Sequence, residues 1–248
     1  MSEAIYDGIG TGYALRRRAD PRIAGAIRSA LGDARTVVNV GAGAGAYEPA
    51  DCIVQGVEPS ALMISQRPEG AGPCIRGSAE NLPFAQDAFD AAMAVLTIHH
   101  WSDWRAGLRE MRRVAARRIA LLTFDVDACD FWLMRDYFPA LLELDRRIMP
   151  GLSELRGELG AFAASPVPVP HDCLDGFLGA YWRRPEIYLD AAARRSMSSF
   201  ARIDAQAGLT RLAEDLESGA WRRRYADLLD LEELDIGYRL LRWEFSPE

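Results

Sequence analysis

Three glycines at alternate positions, Gly41, Gly43 and Gly45, follow the short run Val37-Val38-Asn39-Val40, and the carboxylate of Glu58 lies 17 residues beyond the first of them. A buried strand ending in such a loop brings backbone N–H groups to a helix-like N-terminus with no side chains in the way, which suits an anionic or nucleotide ligand. A carboxylate at the end of the next strand can accept from both hydroxyls of a ribose. Gly41, Gly43 and Ala46 also fit the G-x-G-x-x-A form of a dinucleotide fingerprint, so the loop by itself leaves NAD and an adenosyl ligand both open. A second group with chemical capacity is the pair His99-His100, just past the run Phe89–Thr97. In open α/β sheets the carboxyl ends of the strands carry the site, which would put one of these histidines at its mouth as a proton acceptor.

The elements around these residues alternate. Short apolar runs at 36–40, 52–58, 73–77, 89–97 and 117–125 read as strands, and helical patterns at 60–67 and 104–115 lie between them. Asp20 followed by Pro21, with Ile23, Ile27 and Leu31 on one face and Gly32 beyond, marks a helix before the first strand. This order predicts an α/β fold with a parallel sheet and helices on both faces. Residues 128–163 read as helical and aromatic-rich. The stretch 165–171 carries three prolines and can only be extended or an edge strand. The rest is a mostly helical insertion, broken near Pro185, until a last strand at 233–245. The domain reading is therefore an entry segment at 1–32, a core at 33–170, a helical cap at 171–230 and a returning strand within 231–248.

Composition bounds the function. The chain has 248 residues, is 49% hydrophobic and carries a net charge of −7. The acidic balance argues against an extended nucleic-acid contact, and the arginine clusters at 183–184, 194–195 and 222–224 read as solvated helix faces. All 29 basic residues are arginine, which excludes a Schiff-base lysine and a phosphate-binding P-loop lysine. Cys52, Cys74, Cys129 and Cys173 form no CxxC pair, and His171 has no second ligand cluster, so no metal is expected. With no apolar signal core and no run long enough to span a membrane, a cytoplasmic location is expected.

The order of the landmarks resolves the cofactor. "VVNVGAGAGAYE", "GVEPS" and "GSAENLPFAQDAFDAAMAVLTIHHW" together resemble the motif series of class I S-adenosylmethionine-dependent methyltransferases of the type 11-like group, in order and spacing over residues 36–125. The resemblance implies a Rossmann-like seven-stranded sheet whose last strand inserts antiparallel beside the fifth. It implies S-adenosyl-L-methionine as cofactor, with S-adenosyl-L-homocysteine as product. Gly41, Gly43, Gly45 and Glu58 would hold it, the Ser78-Ala79-Glu80 turn would meet the adenine with Pro59 on its face, and backbone near Val95 would meet the methionine amine. An aromatic and an arginine of the entry segment, Tyr13 with Arg17 or Arg18, would cover the methionine end. Two positions depart from the pattern: Asn39 and Ser78 stand where the family usually has carboxylates, so each is expected to weaken the site without removing it.

His99 or His100 is the expected base. Tyr6, Trp101, Trp132, His171, Tyr181 and Trp182 are the expected acceptor contacts, on the argument that part of an aromatic cap lines an apolar pocket. The expected partner is a small-molecule methyl acceptor, with the protein a monomer or homodimer. An RNA or protein methyltransferase, a non-catalytic or repurposed S-adenosylmethionine-binding protein and, least favoured, an NAD-linked oxidoreductase are the alternatives.

Overall fold

The computed structural model describes residues 16–245. Its centre is one seven-stranded sheet whose strands alternate between two apolar faces. In chain order the main strands are β1 (Thr36–Val40), β2 (Ile53–Glu58), β3 (Cys74–Arg76), β4 (Phe89–Val95), β5 (Ala115–Phe124) and β6 (Ala163–Pro166). A two-residue pair, β7 (Val169–Pro170) with β8 (Glu233–Leu234), precedes the final strand β9 (Tyr238–Glu244). The order across the sheet is β3-β2-β1-β4-β5-β9-β6. β1 to β5 are parallel, and β9 runs antiparallel between β5 and β6. The order reverses between β1 and β4, which opens a crevice at their carboxyl ends.

Strand period two explains the two layers. Val37, Ala91, Met93, Ala120 and Leu122 face one apolar cluster, and Val38, Val40, Ala92, Ala94, Ile119 and Leu121 face the other. Helix α1 (Pro21–Leu31) covers the first face with Ile23, Ile27 and Leu31, all buried. Asp20 caps it as expected, accepting from the Arg22 N–H. Helix α2 (Ala61–Ser65) follows β2, and α3 (Trp104–Val114) covers the second face through Leu108 and Met111. The helices thus lie on both sides, as the alternation predicts.

The C-terminal half departs in detail from the run of helices read from sequence. Residues 128–163 divide into a π-helical turn Leu133–Tyr137, helix α4 (Pro139–Ile148) and helix α5 (Leu152–Leu159), because Pro139 and the Pro150-Gly151 pair each end what precedes them. The stretch from Ala163 joins the sheet as its edge strand, where Pro166 costs no ladder bond. Residues 171–230 combine short 3₁₀ turns at 178–181, 185–189 and 198–202 with helices α6 (Ala191–Arg194), α7 (Gln206–Glu217) and α8 (Ala220–Arg224). They share one continuous apolar cluster with the first sheet face. The final strand expected at 233–245 is split at Gly237, whose φ of 111° turns the chain from the β7 partner to β5.

Candidate active site

The glycine loop leaves β1 with Gly41, Gly43 and Gly45 all at positive φ. A side chain at Gly41 would overlap the Thr97 hydroxyl, so the loop and the end of β4 approach each other only because Gly41 is bare. Glu58, 5% exposed, anchors the loop: its Oε2 accepts from the Gly43 N–H at 2.9 Å, and its Oε1 accepts from the Ser60 N–H at 2.9 Å. Gly43 has only Met63 Cε near its missing side chain, at 3.5 Å, so space opens above that backbone. The result is a cleft of about 640 Å³, counted to its open mouth, lined by Asn39, Gly41, Ala42, Gly43, Tyr47, Glu58, Met63, Val95 and Thr97 among others.

Asn39 is tied into this wall in a way that explains its type. Its Nδ2 donates to Glu48 Oε1 at 3.0 Å, and Glu48 Oε2 pairs with Arg67 at 2.6 Å. Both of those charged side chains are buried. Glu48 places a carboxylate beside Asn39, and an aspartate at 39 would face it. A second buried connection runs through Arg17: its Nε donates to Asp175 Oδ1 at 2.6 Å, while the Tyr47 hydroxyl donates to Asp175 Oδ2 at 2.9 Å. Burial, with the Asp175 charge beside it, pushes the Tyr47 hydroxyl far above its ordinary range and keeps it a donor.

A second cleft, of about 600 Å³, adjoins the first and shares Arg17, Leu96 and His100 with it. Its walls are Phe124, Phe131, Met134, Met149, Phe177, Met197 and Tyr238, with His99, Asp145 and Ser196 to Ser199 as polar groups. Leu96, at the seam, has φ of 51°, a left-handed conformation that costs a leucine about 1 kcal/mol. Its N–H donates to Leu122 O at 2.9 Å, which holds the kink in place.

The two histidines lie on the turn Ile98–His100 with ring centres 3.9 Å apart. Burial lowers both, His100 to about 4 with help from the positive charges of Arg202 and Arg17, and His99 well below its ordinary value with help first from His100 and then from the same arginines. Both are neutral near pH 7. Asp145 behaves in the opposite sense: burial pushes its carboxyl up to about 7 against a smaller lowering by Arg202.

The structure brings together in the first cleft Asn39, Gly41, Gly43, Glu58 and Val95, and in the second His99 and His100. Gly45 belongs to the same loop, where a side chain would press on Arg67. The 78–80 turn is braced rather than open: Glu80 accepts from the Ser102 N–H at 2.8 Å, and Ser78 also bonds to it. Ala79 is buried, and the Pro59 carbonyl accepts from Arg76.

Of the paired arginines, Arg17 lines both clefts, whereas Arg18 is exposed and lines neither. Of the expected aromatic contacts, Trp101, Trp132, Tyr181 and Trp182 line neither cleft. Trp132 is buried among Tyr137, Tyr188, Trp221 and Tyr225 and donates to the Trp182 carbonyl, and Trp182 is itself buried and donates to the Val169 carbonyl. Tyr181 packs edge-on against Tyr188, Trp101 packs over Gly107, and His171 sits in a loop against the Glu232 carbonyl. Tyr6 and Tyr13 lie outside the described residues. Missed in the sequence were Leu96, Asp145, Tyr238 and the serines at 196–199. Only Asp145 had a visible signal, a lone carboxylate on the apolar helix pattern Leu141-Leu144-Asp145.

The geometry has counterparts among known proteins. The family model described as "Methyltransferase domain" matches residues 38–121. A solved structure described as a putative methyltransferase from an antibiotic biosynthesis pathway of Anabaena variabilis is 38% identical, with TM-score 0.84, over 92% of this chain and 98% of that one. A demethylmenaquinone methyltransferase of Corynebacterium kroppenstedtii is 31% identical over 41% of this chain and 42% of its own length. The chain spans less than half the length of the curated relatives it matches. The plantazolicin methyltransferase BamL, solved with S-adenosylhomocysteine, shares the fold at 14% identity and TM-score 0.56, covering 98% of this chain and 91% of that one. The cofactor expected from the motif series, S-adenosyl-L-methionine, fits the bare loop, the fixed Glu58 carboxylate and the cleft above them. The chain belongs to the class I S-adenosylmethionine-dependent methyltransferases.

Proposed function

We propose that the protein moves a methyl group from S-adenosylmethionine to a small-molecule acceptor held in the second cleft. The observation that carries this reading is the seam: two clefts of similar size meet at Arg17, Leu96 and His100. The first has the loop and carboxylate of a nucleoside site, and the second has the apolar lining of a small-molecule site.

In this reading Gly41, Gly43 and Gly45 give the cofactor close access to backbone. Glu58 accepts from its ribose, the Ser78-Ala79-Glu80 turn and Pro59 border its adenine, and Val95 and Arg17 border its methionine end. Asn39, through Glu48, keeps the loop in shape. The bound cofactor supplies an electrophilic sulfonium methyl, which needs an acceptor atom in line behind it and little else.

The residues of the seam do that work. Leu96 stands between the two clefts, the apolar walls limit water at the acceptor, and His99 or His100, neutral near pH 7, accepts a proton where the acceptor loses one. The depressed values make both weak bases, so orientation carries more of the rate than proton transfer.

Titration of the purified protein with S-adenosylhomocysteine and with NAD tests the cofactor half. Binding of the first and not the second is expected, with Glu58→Ala weakening it by about tenfold or more, the loss of one charge-assisted hydrogen bond. Unchanged binding in Glu58→Ala contradicts the placement. An acceptor screen with methyl-labelled cofactor tests the transfer.

A further inference from the structure

We propose that Asp145 is the recognition group for a positively charged amine on the acceptor, so that the substrate class is an ammonium carried on an apolar body. The inference rests on the methyltransferase reading of the two clefts and deepens it.

Asp145 stands on α4 and lines the second cleft, yet it is only 3% exposed. Its Oδ1 is buried with no hydrogen-bond partner among the described residues. An unsatisfied carboxylate oxygen in an apolar wall costs stability and is not kept for packing. The residue lines the second cleft, so a donor arriving with a ligand there would satisfy the oxygen.

Charge and lining choose the donor. Arg17 is already matched by Asp175, and the neighbouring histidines are neutral near pH 7. Arg202, at the exposed end of the turn 198–202 that packs against α4, acts on Asp145 only at a distance and donates no hydrogen bond to it. Asp127 and Arg135, on the other turns against α4, are exposed, and Asp136 is engaged by Arg135 and Tyr225. The carboxyl of Asp145 is therefore the one acidic group that faces this cavity among the described residues. Around it, Phe124 and Phe177 pack against the Tyr238 ring with centres 5.2 and 4.9 Å away. Aromatic faces beside a buried carboxylate hold an ammonium better than a hydroxyl, because both attract positive charge. Met134, Met149 and Met197 supply a deformable apolar wall for the remainder of the ligand.

The test uses phenethylamine and its neutral counterpart 2-phenylethanol as probes, titrated by ligand-observed NMR into protein saturated with S-adenosylhomocysteine. The amine is expected to bind about tenfold or more tightly than the alcohol, and Asp145→Asn is expected to erase that preference while leaving the alcohol within about twofold. Asp145→Ser serves as the second variant, and a cooperative thermal transition confirms that each is folded.

Equal binding of the two probes, a preference that survives in both variants, or no binding of either probe overturns the proposal. Saturation with S-adenosylhomocysteine is measured separately on each protein. Failure there strikes the cofactor reading, whereas success there with no amine preference strikes only the assignment of Asp145.

Discussion

Arg17 Nε and Asp175 Oδ1 are 2.6 Å apart, with Asp175 fully buried and Arg17 only 14% exposed. The pair joins the segment before α1 to the segment after β7, and Tyr47 ties the same carboxylate to the glycine loop. Removing Asp175 takes a buried acceptor from both the Arg17 guanidinium and the Tyr47 hydroxyl. Asp175→Ala should therefore lower stability by about 3 kcal/mol or more in denaturant titration. It should also weaken S-adenosylhomocysteine binding, because Arg17 and Tyr47 lose their common anchor. A variant of unchanged stability and affinity would remove this pair from the account.

The Asn39–Glu48–Arg67 chain makes a prediction of opposite sign to the family pattern. Asn39→Asp restores the usual residue type, yet it should destabilise this protein by about 1–2 kcal/mol, since two carboxylates would then face each other in a buried wall. Combining it with Glu48→Gln should recover much of the loss. A thermodynamic double-mutant cycle measures that coupling, and strict additivity of the two changes would show that positions 39 and 48 are not coupled.

Asp145 makes stability depend on pH. Its carboxyl is near 7 in the folded state and near 3.8 when unfolded. The native state therefore holds the proton more tightly, and the associated stability is present below about 3.8 and lost as pH rises through about 7. A shift of that size costs the native state on the order of 4 kcal/mol above pH 7. Asp145→Asn should be more stable than the parent at pH 8, with the difference shrinking toward pH 4. Melting curves across this range read it directly, and a difference independent of pH would refute the buried, unpaired state of the carboxyl.

The histidines bias the opposite limb. Both are lowered in the folded protein, so the native state takes up fewer protons than the unfolded chain once pH falls below about 6.5. Replacing both by glutamine should flatten the loss of stability between about pH 6.5 and 4. If the acid limb is unchanged in that double variant, the histidines are not held neutral by burial.

Much of the sheet was legible because its signals are local. Val37-Val38-Asn39-Val40 ending in glycine, and Asp20-Pro21 before an apolar stripe, state a strand and a helix start in a few residues each. The glycine loop after β1 was legible for the same reason, since bare backbone needs glycine wherever it occurs. The second cleft was not. Its wall is assembled from α4, the turn at 198–202, Phe177 and Tyr238, which are far apart in the chain and meet only through tertiary packing. Aromatic content pointed to Trp132 and Trp182, but large rings with an N–H to satisfy went to the interior, where backbone carbonyls accept from them. The residues left at the cavity are smaller and carry no pattern. The split of the last strand was hidden because Gly237 lies within a continuous β-like run, where the Asp235 side chain accepts from the Gly237 N–H and marks a short turn.

The most direct test of the central claim is a crystal structure of the protein with S-adenosylhomocysteine. The account predicts the adenosine over Gly41–Gly43 and Glu58, and the sulfur within about 4–5 Å of the Leu96–His100 seam, pointing into the cleft that holds Asp145. A cofactor bound elsewhere, or one whose sulfur points away from that cleft, would contradict the account.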